Sequence, residues 1–347
     1  MKLERYRANP ILTASDFVPC DSELNVVLTF NPGVAKYDNQ TVLLVRVAVA
    51  AAPRENCVGV PVYNTATGSF DKKYFSKNDP SCDFSDARLV KQDGKVYLTT
   101  LSYLAVCFSD DGVNFTVRQT PFIVGDNDYE TFGVEDARIT QIGNDYYINY
   151  SGVSYDGICT MLAVTQDFSS VQKLGVAFMP DNKDVVIFPQ KINGEYVALS
   201  RPESAYFGKP TIWISRSTDL IGWGKHKRFA SLRADSFDSA RIGASCVPFL
   251  TEKGWVEIYH GADRNNTYVL GAMLLDKEDP SVILARTDKP ILSPDAPYEK
   301  DGFMPNVVFS CGCAVDDRKV RLYYGACDET VCCCKFSVDD LLNELIG

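Results

Sequence analysis

The chain has 347 residues, 12 cysteines, two histidines and a formal net charge of −10. That balance argues against a nucleic-acid partner, because phosphate backbones are met by a basic face. The charged amino terminus, Met1-Lys2-Leu3-Glu4-Arg5-Tyr6-Arg7, lacks the apolar stretch of a signal peptide, and no apolar run long enough to span a membrane follows, so no membrane partner and a cytoplasmic location are expected.

In chain order, strand-like runs come in pairs. Asn31-Pro32-Gly33-Val34-Ala35 precedes Val42-Leu43-Leu44-Val45-Arg46, and Ser85-Asp86-Ala87-Arg88-Leu89-Val90 precedes Lys95-Val96-Tyr97-Leu98. The second pair returns as Glu135-Asp136-Ala137-Arg138-Ile139-Thr140 before Asp145-Tyr146-Tyr147-Ile148. Phe188-Pro189-Gln190-Lys191 then leads into Ile192 to Ala198, Ser245 to Phe249 into Gly254 to His260, and Asn306 to Phe309 into Val320 to Tyr324. Gly or Asn turns between such runs signal hairpins. One hairpin used about six times, with a spacing near fifty residues where the repeat is clearest, points to a propeller, because a single copy cannot bury its own apolar face. The expectation is an all-β, single-domain fold over 1–347 with a central axial cleft, residues 1–30 packing on or closing it. Five and six blades both fit a hairpin count, since a closing blade can borrow strands from both termini.

Most cysteines fall inside expected strands, where they serve as small apolar residues. Cys332-Cys333-Cys334 cannot all reach one ion, because neighbours on a strand face opposite ways, and no paired CxxC spacing occurs. With only His226 and His260 available, neither a metal centre nor a serine–histidine triad is expected.

Charge recurs where the repeat begins or ends: Arg46, Asp86 with Arg88, Glu135 with Asp136 and Arg138, Lys191 with Arg201, and Glu257 with His260. Radially equivalent positions should meet at one end of the central cavity. Asp86 and Arg88 suit a pair holding blades in register as well as they suit substrate. Two consecutive acids after Gly133 are costly to bury without purpose, and an acid near cations and sugar hydroxyls is the minimum for glycosyl transfer. The cations exceed what Glu135 and Asp136 neutralise, which suggests a bound anion. No glycine-rich loop precedes a helix, so free phosphate or a sugar phosphate fits better than a nucleotide. Tyr206 and Phe303 are among the aromatics able to lie against sugar C–H faces.

Asn9-Pro10-Ile11-Leu12, Phe30 to Gly33, Leu43 to Val47, Phe132 to Thr140, Asp184 to Lys191, Ser200-Arg201-Pro202, Gly254 to Asp263, Leu270 to Asp276 and Gly302 to Gly312 resemble glycoside hydrolase family 130 essentially end to end. The family contains inverting β-mannoside phosphorylases and mannosidases. The resemblance implies a five-bladed propeller with Asp136 as general acid, its proton relayed through the mannosyl 3-hydroxyl. It also implies phosphate contacts at Lys191, Arg201 and His260, and a mannosyl subsite lined by Asn31, Arg46 and Arg138. Asp86, Arg88, Glu135, Tyr206, Asp263 and Phe303 complete the expected substrate set. The Leu-Leu-Val-Arg-Val-Ala run resembles members acting on β-1,2-linked mannosides.

Three departures stand out: Ala137 where proline is usual, Ser200 where histidine often precedes Arg-Pro, and Glu257 in place of an apolar residue. A lost cation and a gained carboxylate suit a hydrolase, which needs a base to activate water. Phosphorolysis, with inorganic phosphate as co-substrate and no other cofactor, is the first reading. Hydrolysis with Glu257 or Glu203 as base is the second, and a non-catalytic sugar-binding propeller the third. Loops of a second copy are able to close the cleft, so a homo-oligomer stays open.

Overall fold

The computed structural model describes residues 1–203 and 207–347. The fold is all-β. Strands Leu24–Tyr37, Gln40–Ala51, Leu101–Ser109 and Thr116–Val117 form a first antiparallel sheet, and Val134–Ile142, Asp145–Ser154, Gly157–Thr165 and Gln172–Phe178 a second. Asn182–Ile187, Tyr196–Pro202, Ile212–Ser217 and Trp223–Ala230 make a third. The fourth contains Arg241–Ala244, Gly254–Ala262, Tyr268–Leu275 and Ile283–Arg286, with Phe249–Thr251 also on Gly254–Ala262. In the fifth, the amino-terminal Glu4–Arg5 pairs with Thr330–Ser337, beside Lys319–Ala326 and Val308–Asp316.

Local chemistry sets the hairpins. Asp38 and Asn39 adopt φ of 46° and 64°, and Asn193 and Gly194 adopt 54° and 83°. Two consecutive left-handed residues match the right-handed twist of the flanking strands, and Asn, Asp and Gly adopt that region most readily. The unbroken apolar run from Val42 to Val45 follows from burial on both faces: Val42 and Leu44 join the core toward the second sheet, Leu43 and Val45 the core toward the fifth. Full burial of each such side chain stabilises by about 1.5–3 kcal/mol.

Six hairpins were expected, and one lies elsewhere. Cys82–Asp83, Leu89–Gln92 and Lys95–Leu98 form a separate three-stranded sheet, within an excursion between Gln40–Ala51 and Leu101–Ser109 that also holds the two-stranded sheet of Cys57–Asn64 and Ser69–Ser76. The Asp93–Gly94 turn builds that hairpin by the same local rule, but its strands pair with none of the five main sheets.

One edge strand of each main sheet meets its counterparts. Leu24–Tyr37 packs on Val134–Ile142 and Val308–Asp316, and Asn182–Ile187 packs on Val134–Ile142 and Arg241–Ala244. All twelve cysteines are free, and Cys332 and Cys334 enter one core while Cys333 enters another, as strand alternation requires. Among the described residues no helix is long and apolar enough to cross a membrane.

Candidate active site

Three of the converging edge strands carry the same irregularity. Register against the neighbouring strand shifts between Phe30 and Gly33, between Glu135 and Arg138, and between Lys183 and Val186. A bulge leaves an extra residue unpaired and re-aims its side chain. The residues turned out are Asn31, Asp136 and Asp184, at φ of 48°, 49° and 53°. Asn and Asp tolerate this left-handed region better than most side chains. A fourth shift, between Phe309 and Gly312, bends Val308–Asp316 at the same level.

These bulges border a cleft of about 170 Å³ lined by Asn31, Arg46, Glu135, Asp136, Lys183, Asp184, Arg201, Arg241, Tyr268, Met304, Val307, Phe309 and Asp328. A larger hollow of about 530 Å³ lies outside it, between Pro202, Glu203, Trp213 and Arg228. Of these two, the smaller cleft is the one in which acids and cations from different sheets face one space among the described residues.

Asp136 Oδ1 accepts from Asn31 Nδ2 at 3.1 Å and from Arg46 Nη1 at 3.2 Å, while Oδ2 has no protein hydrogen bond among the described residues. Arg46 is itself fixed on three sides: Nη2 donates to Glu135 Oε1 at 2.7 Å, Nε to Ser102 Oγ at 3.1 Å, and the guanidinium lies 4.5 Å from the Phe30 ring centroid. One carboxylate oxygen is thus clamped and the other left for a ligand.

Behind this pair is a buried ion network. Arg138 donates to the Asp136 carbonyl at 2.9 Å and to Asp184 Oδ1 at 3.1 Å, which locks the bulge from within. Asp184 Oδ2 lies 2.7 Å from Arg201 Nη1 and 3.4 Å from His260 Nε2. Burial alone would raise the Asp184 carboxyl, yet Arg201, His260 and Arg138 outweigh it and hold it well below the usual carboxylate range. Burial pushes His260 down to about 4 against the pull of Asp184, with Arg201 and Arg138 adding to the fall. A neutral ring accepting from Arg201 at Nε2 (3.0 Å) carries its proton on Nδ1, 3.1 Å from Ser245 Oγ.

The cleft brings together Asn31, Arg46, Glu135, Asp136 and Arg201 as expected. Arg138 and His260 are buried one layer behind, each about 1% exposed or less. Several expectations need correction. Lys191 is exposed beside the Asn193–Gly194 turn, donating to the Thr218 carbonyl, because the third edge strand ends at Ile187 and its other end faces the cleft. Lys183 takes that place. Arg88 is exposed and Asp86 half-buried, and they pair with each other at 2.8 Å just before Leu89–Gln92 of the small sheet, away from the cleft lining. Asp263 accepts from the amides of Asn265 and Thr267 and shapes its loop. Phe303 is 53% exposed, and its neighbour Met304 lines the cleft instead. Tyr206 lies outside the described residues. Glu257 is fully buried and lines no part of the cleft, since alternation along Gly254–Ala262 turns it into the interior; its carboxyl is pushed well above the usual range by burial, with Cys246 adding to the rise.

Sequence reasoning missed Lys183, Asp184, Arg241, Tyr268 and Asp328. Aligning the repeats on their bulges, with Asp184 opposite Asp136, would have found the first two. Asp328 sits at φ 52° in the turn after Lys319–Ala326. Burial lifts its carboxyl to about 6, with Arg46 opposing and Asp136 and Glu135 adding to the rise. The expected surplus of positive charge is not there: Arg46, Lys183, Arg201 and Arg241 face Glu135, Asp136, Asp184 and Asp328. What marks an anion site is distribution. Glu135, Asp136 and Asp328 gather around Arg46, whereas the Lys183 ammonium and the Arg241 Nε make no hydrogen bond to protein among the described residues.

An all-β scaffold that turns the free oxygen of Asp136 and the cations Lys183, Arg201 and Arg241 into a single cleft suits an enzyme acting on carbohydrate. The sequence profile of glycoside hydrolase family 130, described as beta-1,4-mannooligosaccharide phosphorylase, matches residues 85–346, and the chain belongs to that family. It is 42% identical over 350 residues to a beta-1,2-mannobiose phosphorylase of Listeria innocua, covering 99% of both chains. A 1,2-beta-oligomannan phosphorylase of Thermoanaerobacter sp. is 42% identical over 67% of this chain and 77% of its own. The solved Listeria innocua enzyme, in complex with beta-1,2-mannobiose, superposes with a TM-score of 0.92, again at 42% identity and 99% coverage of both chains.

Proposed function

We propose that this chain is an inverting β-mannoside phosphorylase that acts on β-1,2-linked manno-oligosaccharides and releases α-mannose 1-phosphate. The observation that carries the reading is Asp136, whose Oδ1 is held by Asn31 and Arg46 while Oδ2 is left to a cleft shared with Lys183, whose ammonium makes no hydrogen bond to protein among the described residues. Full-length identity of 42% to a beta-1,2-mannobiose phosphorylase supports the linkage.

In this reading a phosphate oxygen, held by Lys183, Arg201 and Arg241, attacks the anomeric carbon opposite the leaving oxygen. The glycosidic bond breaks as Asp136 gives its proton to the mannosyl 3-hydroxyl and that hydroxyl passes its own to the departing oxygen; the carboxylate regains a proton from solvent. Phosphate arrives already nucleophilic and needs no base. Hydrolysis is less well supported: Glu257 is sealed in the interior, and Glu203 is bridged by Arg201 at 3.5 Å and Arg241 at 3.4 Å. We read the five sheets as blades of a five-bladed propeller, forming one catalytic unit over 1–347 that works in the cytoplasm with inorganic phosphate and no further cofactor.

Incubation with β-1,2- and β-1,4-mannobiose, with and without phosphate, tests this. Mannose 1-phosphate should form only with phosphate and faster from the β-1,2 isomer. Equal sugar release in phosphate-free buffer would overturn the reading.

A further inference from the structure

Glu257 makes no contact with the cleft, yet it occupies an expensive place. Its carboxyl is fully buried, meets no cation in a salt bridge among the described residues, and leaves Oε2 without a partner. An apolar residue of similar volume would pack there at lower cost, so a glutamate needs a reason. Oε1 shows one: it accepts from the backbone N–H of Ser245 at 3.2 Å, a hydrogen that Ser245 shares with the Ile258 carbonyl at 3.1 Å.

Ser245 is the residue directly after the edge strand Arg241–Ala244, and it is gripped on several sides. Its Oγ lies 3.1 Å from His260 Nδ1, and the preceding Ala244 carbonyl accepts from Arg138 at 3.3 Å. His260 Nε2 faces Arg201 Nη1 at 3.0 Å. Within the same strand, a Cβ on Gly243 would come within 2.6 Å of His260 Nε2 and 2.8 Å of Asp184 Oδ2, so backbone and imidazole are in direct contact. Arg241 thus begins this short segment, and Arg201 meets it through His260.

We propose that Glu257 and Ser245 are positioning residues that aim Arg201 and Arg241 into the cleft, Ser245 through His260 and Glu257 through the end of the Arg241–Ala244 strand. This rests on the reading of those arginines as the phosphate-holding wall. Glu257 acts as a neutral acceptor: burial disfavours its charged form and outweighs the opposing pull of Arg138. Arg201, which can only donate, takes Nε2 as its acceptor and leaves the imidazole proton on Nδ1, where the Ser245 hydroxyl accepts it and holds the ring.

Steady-state kinetics on full-length Ser245→Ala, Glu257→Gln and Glu257→Met test the proposal. Ser245→Ala and Glu257→Met should raise the KM for phosphate about tenfold while kcat at saturating phosphate and the KM for mannobiose change by less than about threefold. Glu257→Gln, which keeps an uncharged acceptor oxygen, should stay within about twofold of the native enzyme. A Ser245→Ala enzyme with unchanged phosphate KM, an equal rise in mannobiose KM, or a Glu257→Gln enzyme as impaired as Glu257→Met would overturn it. If Glu257→Met does not fold, Ser245→Ala decides, since it removes a single oxygen. Calorimetric titration with inorganic phosphate separates the two layers of inference. Phosphate-independent turnover by the native enzyme would sink the reaction, whereas about tenfold weaker phosphate binding by Ser245→Ala would still support the positioning role, and unchanged binding would refute it.

Discussion

Asn31 and Asp136 occupy the same structural position on two different sheets, and their side chains meet at 3.1 Å. Each stands at the bulge of an edge strand in a left-handed conformation, φ 48° and 49°. Gly33 permits the approach: a Cβ there would lie 2.6 Å from the Ala137 carbonyl. The repeat places the Asp136 carboxylate and its hydrogen-bond donor by one geometric device applied twice.

Asp136→Asn keeps that geometry and removes the acid. Mannose 1-phosphate release should fall about 10²–10⁴-fold, with the thermal midpoint within a few degrees of the native protein. Activity within tenfold of native would rule Asp136 out as the acid.

Lys183→Ala and Lys191→Ala separate the two lysines. The first removes an ammonium that lines the cleft and should raise the KM for phosphate by about tenfold or more. The second removes an exposed contact to the Thr218 carbonyl and should leave the kinetics within about twofold. The opposite ranking would return Lys191 to the site.

Asp184→Ala strips the counter-ion from Arg138 and Arg201, both buried. Uncompensated buried charge costs about 3–5 kcal/mol. Denaturant unfolding at pH 7 should show a loss of that order, and a change below about 1 kcal/mol would mean that the network is not holding the fold.

Two groups give opposite pH signatures. Asp328 is raised from 3.8 to about 6, so its contribution to stability is fully present below about pH 3.8 and lost as pH rises through 6. Asp328→Asn should accordingly gain on the native protein between pH 4 and 8, by on the order of 3 kcal/mol. His260 is lowered from 6.5 to about 4, so its contribution is present above pH 6.5 and lost as pH falls through 4. His260→Gln should show a shallower loss over that lower window. Chemical denaturation at four pH values reads both, and parallel curves for native and variant proteins would refute the assignments.

The hairpins were legible because each is a local event. Alternating apolar residues, Asn or Gly at a turn and a buried run such as Val42 to Val45 act over a few residues, and the same rules built the 85–98 hairpin that the fold then left outside the main sheets. The Glu135-Asp136 pair was legible too, because two acids after a glycine are costly anywhere in a core.

The sequence by itself determined the all-β character and the repeat, and through its family resemblance it pointed to Asp136, Asn31, Arg46 and Arg201, which the structure gathers at one cleft. Only the tertiary structure decided that Lys183 and not Lys191 faces the cleft, that Glu257 is sealed from it, and that Asp184 and Asp328 balance the cations. The reason is the two-residue period of a strand: one bulge reverses which face a side chain takes, and a bulge is set by packing against a neighbouring sheet rather than by the residues it displaces.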